Sequence, residues 1–163
     1  PGETKEQMQE TVDYAKSLGA DWCVFNIATP LVGSEMYDQF INLGVIKDSE
    51  ESWLNTVFDS RQFDTPEITA RELNDFVYRA NLECNFLNNP NKVSGQFKKA
   101  ILIYQDIVSK YSFHVIAWHC MMECYRGLGD NVKVKQIKDT IENLIKTDKR
   151  AEDMFVKYGD MMS

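Results

Sequence analysis

Apolar residues recur at spacings of three and four through most of this chain, and in one place they run together instead. Met8, Val12, Ala15 and Leu18 share one helical stripe, so residues 4–18 are predicted to form a helix. Thr4 and Gln7, three apart, make a capping-box pattern at its start, and Gly19 stands where a helix commonly stops. Trp22, Cys23, Val24, Phe25 and Ile27 then form a short apolar run between Asp21 and Pro30, the pattern of a strand buried on both faces as in a parallel sheet. Pro30 and Gly33 mark a loop, Ser34 is placed to cap a helix over 35–43, and Gly44 ends it. The expected unit is α-β-α. A single strand has no sheet to join, so partner strands are expected before Pro1, and Pro1-Gly2-Glu3-Thr4 reads as a strand-to-helix loop whose strand lies outside the chain.

The pattern then turns helical. Residues 45–65 are irregular, with Trp53, Leu54, Val57 and Phe58 suggesting a short helix or turn that packs back. Thr65-Pro66-Glu67 combines a cap, a proline at the first helical position and an acid in the first turn. It predicts a long helix to about Leu87 with Leu73, Phe76, Val77, Ala80 and Leu82 inward; Asn88-Asn89-Pro90-Asn91 breaks it. Stripes of apolar residues predict helices over about 94–110, 113–127 and 131–146, and a last one over about 149–158 carries Met154, Phe155 and Tyr158. The fold class is therefore mostly α.

These last helices repeat with a period of 34 residues. Trp118, Met121, Tyr125 and Gly129 stand at 0, +3, +7 and +11, Val134 and Ile141 follow at +16 and +23, and Ala100, Tyr104 and Ile107 fall one period earlier. This resembles about one and a half degenerate tetratricopeptide units, with Lys138 departing from the pattern at an aromatic position. The resemblance implies an antiparallel helical array, with a peptide as the partner such arrays take.

Composition changes this picture in three ways. Of 163 residues, 44% are hydrophobic and 26% charged, as in an ordinary folded domain, and no apolar run is long enough to span a membrane. The net charge is −7, and residues 1–92 hold 7 basic against 16 acidic residues, which argues against nucleic acid as a partner. Cys23, Cys84, Cys120 and Cys124 come without a secretory leader and read as reduced intracellular thiols, which places the protein in the cytoplasm. Cys120 and Cys124 share a helix face, with His114 and His119 as the nearest further zinc ligands. Two buried thiols beside Trp118, Met121 and Met122 account for the same pattern and are the preferred reading.

Pro1-Gly2-Glu3-Thr4, then Thr11, Ala15 and Leu18-Gly19, then residues 25–37 (FNIATPLVGSEMY) resemble the late part of a radical S-adenosylmethionine barrel. The subgroup closest in pattern has an N-terminal cobalamin-binding domain and includes the anaerobic magnesium-protoporphyrin IX monomethyl ester cyclase type. Trp53, Phe63, Thr65 and the helix holding Asn81 and Phe86 fit the segment after the barrel in that subgroup, so the resemblance covers about half of the chain. It implies a parent enzyme, an oxidoreductase, cyclase or methyltransferase, in which three cysteines of an early loop hold a [4Fe–4S] cluster. That cluster cleaves S-adenosylmethionine reductively, with cobalamin as a further cofactor in this subgroup. It also implies that Gly2, Glu3, Asn26, Ile27, Thr29 and Pro30 flank the adenosine in the intact barrel. The cluster cysteines, the earlier strands and the cobalamin domain are not in these residues. In the chain by itself Gly2 and Gly33 are read as turn residues and Glu3 as an acid at a helix start.

The expectation is thus a C-terminal piece of a radical S-adenosylmethionine barrel over 1–65 and a helical tetratricopeptide-like extension over 66–163. By itself the piece would be non-catalytic and hold neither metal nor cofactor. Its partners would be the rest of its own barrel and, through exposed apolar surface, further copies of itself. The alternative, of a different class, is a helical protein-interaction module on a barrel remnant that serves only as scaffold.

Overall fold

The computed structural model of the protein describes residues 2–49 and 60–162. The turn or helix expected around Trp53–Phe58 lies outside them. The chain folds as two units, one of Pro1–Ser17 with Val24–Asn81, the other of Leu18–Cys23 with Leu82–Ser163.

In the first unit, α1 (Lys5–Ser17) opens on the expected capping box. The Thr4 N–H donates to Gln7 Oε1 at 2.9 Å and the Gln7 N–H to Thr4 Oγ1 at 3.3 Å. Ser34 caps α2 (Glu35–Asn42) by accepting from the Tyr37 N–H. α3 (Ala70–Leu82) starts four residues later than the Thr65-Pro66 signal predicts. The reason is a stronger start just downstream, where Thr69 and Glu72 form a second capping box and Asp64 Oδ1 accepts from the Ala70 N–H at 2.8 Å. Thr65 is used differently: its N–H and hydroxyl both donate to the Ile68 carbonyl. Met8, Ile68 and Leu73 form the buried cluster, with Ile27, Phe76 and Val77 against it, and Phe40 meets the edge of Phe63.

The expected strand is not formed. Among the described residues there is no β-strand, so the α-β-α unit is corrected to two helices joined by an open segment. A strand needs a neighbour for its N–H and C=O groups, and here asparagine side chains serve instead. In the first unit the Asn81 amide accepts from the Phe25 N–H and donates to the Phe25 carbonyl, both at 3.1 Å. In the second unit Asn85 does the same to Cys23, both bonds at 2.7 Å. Asn89 Nδ2 donates to the Asp21 carbonyl, and Asn91 Nδ2 to the Asp21 carboxylate.

The second unit is a stack of helices. α3 passes into a π-helical turn, Glu83–Leu87, followed by α4 (Pro90–Val93), α5 (Phe97–Lys110), α6 (Val115–Gly127), α7 (Asn131–Thr147) and α8 (Lys149–Tyr158). These bounds follow the predicted stripes within a few residues. α6 is packed by both α5 and α7, and α8 returns onto α7 and α6. The core holds Tyr104, Val115, Ile116, Cys120 and Cys124, with Trp118, Tyr125, Val134 and Ile141 against it. Positions of the 34-residue pattern thus lie in or on this core. Gly127 lets helices approach: a Cβ there would run into the Phe97 ring.

The π-helical turn has a definite partner. Phe86 would ordinarily offer its carbonyl to the residue four ahead, but that residue is Pro90, which has no N–H. The Asn91 N–H is already taken by Asn89 Oδ1. The fully buried Tyr104 hydroxyl donates to the Phe86 carbonyl instead, at 2.8 Å. Tyr104→Phe leaves that carbonyl without a donor in the core and is expected to lower stability by about 1–3 kcal/mol. Urea unfolding measures this, and a loss under about 0.5 kcal/mol would show that the bond is dispensable.

Candidate functional site

The six residues expected to flank a ligand are partly brought together. Gly2, Glu3, Asn26 and Ile27 line one cavity of about 340 Å³ within the first unit; Thr29 and Pro30 do not. The approach follows from local structure. Gly2 has φ +84, a conformation that favours glycine, and it turns the chain directly into the Thr4 cap of α1. The segment after Val24, fastened at Phe25 by Asn81, then passes the N-terminal end of that helix. Thr29 and Pro30 lie beyond, in the approach to the Gly33–Ser34 turn, where Thr29 Oγ1 donates to the Ile27 carbonyl at 3.5 Å.

Among the described residues, the charged groups that line this cavity are Glu3, Glu67 and Arg61. Burial lowers the Arg61 guanidinium from its ordinary range, opposed by Glu67 and Asp64. Its main chain is fixed, since Asn74 accepts from the Arg61 N–H and donates to its carbonyl, both at 2.9 Å. The buried Arg61 Nε has no hydrogen-bond partner among the described residues. Sequence reasoning missed Arg61 and Glu67 because nothing marks them apart from other surface charges. The neutral part of the lining mixes apolar side chains such as Met8, Phe76 and Val77 with Thr11, Asn26 and Thr65. A cavity that combines apolar and polar side chains in this way suits a small organic ligand.

The histidines and paired cysteines lie in the second unit and serve its packing. His114 caps α6 through Nδ1, which accepts from the Ala117 N–H at 3.1 Å, and its ring stacks on Phe86 at 4.7 Å. Burial pushes its pKa down to about 4, so the ring is neutral near pH 7. His119 approaches Glu123 at 3.7 Å, and Glu123 also pairs with Lys92. Among the described residues no three His, Cys, Asp or Glu converge as a metal would need.

Burial also pushes the thiol of Cys120 up to about 12 and that of Cys124 up to about 11. Thiolates are the reactive and ligating form, so both are inert in the folded state. Iodoacetamide at pH 8 is therefore expected to label half-buried Cys23 in the native protein and to reach Cys120 and Cys124 only after unfolding. Peptide mass spectrometry reads the order, and early labelling of Cys120 would contradict the burial assigned to it.

No family model matches the chain, and neither a curated protein nor a solved structure matches it. Among the described residues no helix is long and apolar enough to cross a membrane.

Proposed function

We propose that this chain is the closing part of a radical S-adenosylmethionine enzyme together with its helical extension, and that it is not catalytic by itself. The observation that supports this best is the meeting of Gly2 and Glu3 with Asn26 and Ile27 at one cavity. These are the two loops that the family resemblance sets beside the adenosine, and more than twenty residues separate them in sequence. A second support is the open segment between α1 and α2. Trp22 is 42% and Val24 64% exposed, and Leu31 and Val32 are also exposed. An apolar run left bare on one side suits a strand whose sheet lies in the rest of the barrel.

The residues present suit the two groups unequally. The cavity offers adenosine apolar side chains together with Glu3, Asn26, Arg61 and Glu67. The cluster does not fit the thiols present, since Cys84, Cys120 and Cys124 are buried. In this reading the cluster belongs to cysteines of the parent polypeptide outside these residues. When bound, the cluster supplies the electron that cleaves S-adenosylmethionine. The role left to this chain is to close one side of the cavity and hold the ligand there.

The deciding experiment is anaerobic purification of the native full-length protein from its source, with iron, sulfide and cobalt determined per chain. About four irons are expected for one [4Fe–4S] cluster, and stoichiometric cobalt would assign the cobalamin-binding subgroup. A native protein free of iron and sulfide would overturn the proposal and leave the helical interaction module as the reading.

A further inference from the structure

Leu18–Cys23 belongs to the second unit, although the chain on both sides of it belongs to the first. The segment forms neither helix nor strand. Among the described residues the core of the second unit draws on none of it, since the members of that core run from Leu82 onward. What holds the segment is one face made by the π-helical turn and α4. The Asn85 amide takes both main-chain groups of Cys23, and the Asn89 amide takes the Asp21 carbonyl. Asn91 Nδ2 takes the Asp21 carboxylate at 2.7 Å. All three asparagines are buried.

A contact that served packing alone would be apolar, because a buried amide costs free energy unless it is hydrogen-bonded. This face instead keeps three buried amides and satisfies them with a segment that lies outside the core. The bonds to the Cys23 and Asp21 main chain read no side chain, whereas Asn91 reads the Asp21 carboxylate and the edge of the Phe86 ring meets Trp22. Main-chain bonds that give affinity, with a few side-chain contacts that give selectivity, are how a folded surface holds a peptide. We propose that this face is a peptide-binding site, that Leu18–Cys23 occupies it in cis, and that its outside partner is a peptide in which an aspartate is followed directly by an aromatic residue. Such a peptide competes with the chain's own segment. Neither the cavity nor the enzyme proposed above is needed for this.

A tethered segment acts at an effective concentration of about 1 mM, so a peptide that binds the free face at about 10 μM is weakened about 100-fold in the intact chain. The probe is a fluorescein-labelled peptide of residues 17–24 carrying Cys23→Ser, read by anisotropy against the 163-residue chain. In the chain, Asp21→Ala with Cys23→Pro removes the carboxylate that Asn91 holds and the N–H that Asn85 holds. That variant, its helical circular dichroism unchanged, should bind the probe at least about tenfold more tightly than the wild type. Adding Asn91→Ala to it, or placing alanine at both Asp21 and Trp22 of the probe, should undo the gain. If the variant unfolds, the wild type decides. Unlabelled probe at about 5 mM, several times the effective concentration, should speed hydrogen exchange of the Cys23 amide and leave that of Met121 in α6 unchanged. A folded variant that binds no better than the wild type, an alanine probe that binds equally well, or unchanged Cys23 exchange would each overturn the proposal.

Discussion

Asn85→Leu is expected to lower the unfolding free energy of the second unit by about 2–3 kcal/mol, among the largest effects of any polar substitution here. Asn85 is 1% exposed, and its amide holds the Cys23 N–H and carbonyl at 2.7 Å each. Leucine has a similar volume, so no cavity forms, but both main-chain groups lose their partner at once. A partly buried donor or acceptor left unpaired costs more than the bond was worth in the intact protein. The contact of Trp22 with the edge of the Phe86 ring at 5.6 Å also depends on where the Asp21–Cys23 main chain is held. Urea unfolding followed by circular dichroism measures the loss, and hydrogen exchange of the Cys23 amide should accelerate in parallel. Exposed Asn143→Ala is the control and should stay within about 0.5 kcal/mol. If Asn85→Leu were equally neutral, the asparagine would not be what fastens the segment.

Lowering the pH from 7 to 4 is expected to remove about 3 kcal/mol of stability through His114 alone. Unfolded, this histidine takes a proton as pH falls through its ordinary 6.5; folded, burial holds its pKa down to about 4. Between those values the unfolded chain binds more protons, so stability present above 6.5 is lost as pH falls towards 4. His119 acts in the same direction, because burial lowers it despite Glu123 nearby. The carboxylates act at lower pH. The Lys5 ammonium and the Thr69 hydroxyl hold Glu72 at about 2, so its contribution disappears only below its ordinary 4.5. The two windows are therefore separable in urea midpoints measured from about pH 8 to about pH 3. His114→Asn keeps a good cap for α6 without a titrating ring. It should flatten most of the slope between pH 6.5 and about 4; an unchanged slope would move its origin elsewhere.

The helices are legible in the sequence because their information is local. Thr4 with Gln7, and Ser34 before α2, fix two helix starts within three residues of chain. The stripe of α5, carried by Ala100, Ile101, Tyr104 and Val108, needs no distant residue to be recognised as the buried face. The start of α3 departs from its expected place for the same local reason, because Thr65-Pro66-Glu67 satisfies the same rules and only the competing Thr69–Glu72 box displaces it. The candidate site is legible in part. Gly2, Glu3, Asn26 and Ile27 line one cavity and Thr29 and Pro30 do not, whereas Arg61 and Glu67 join the lining without having been expected there. The asparagines at 81 and 85 do carry a signal, since polar amides four apart on a helical stretch share one face.

By itself the sequence determined where the chain is helical and which faces of those helices are buried. These follow from apolar spacing and from capping groups that reach only three or four residues. Tertiary structure alone decided the state of residues 21–30. Their apolar run is equally suited to a strand, and a strand is made by what lies beside it. Asn81, Asn85 and Asn89, 56 to 68 residues away, supply hydrogen bonds to the alternate residues Phe25, Cys23 and Asp21. No pattern within the run itself could show that.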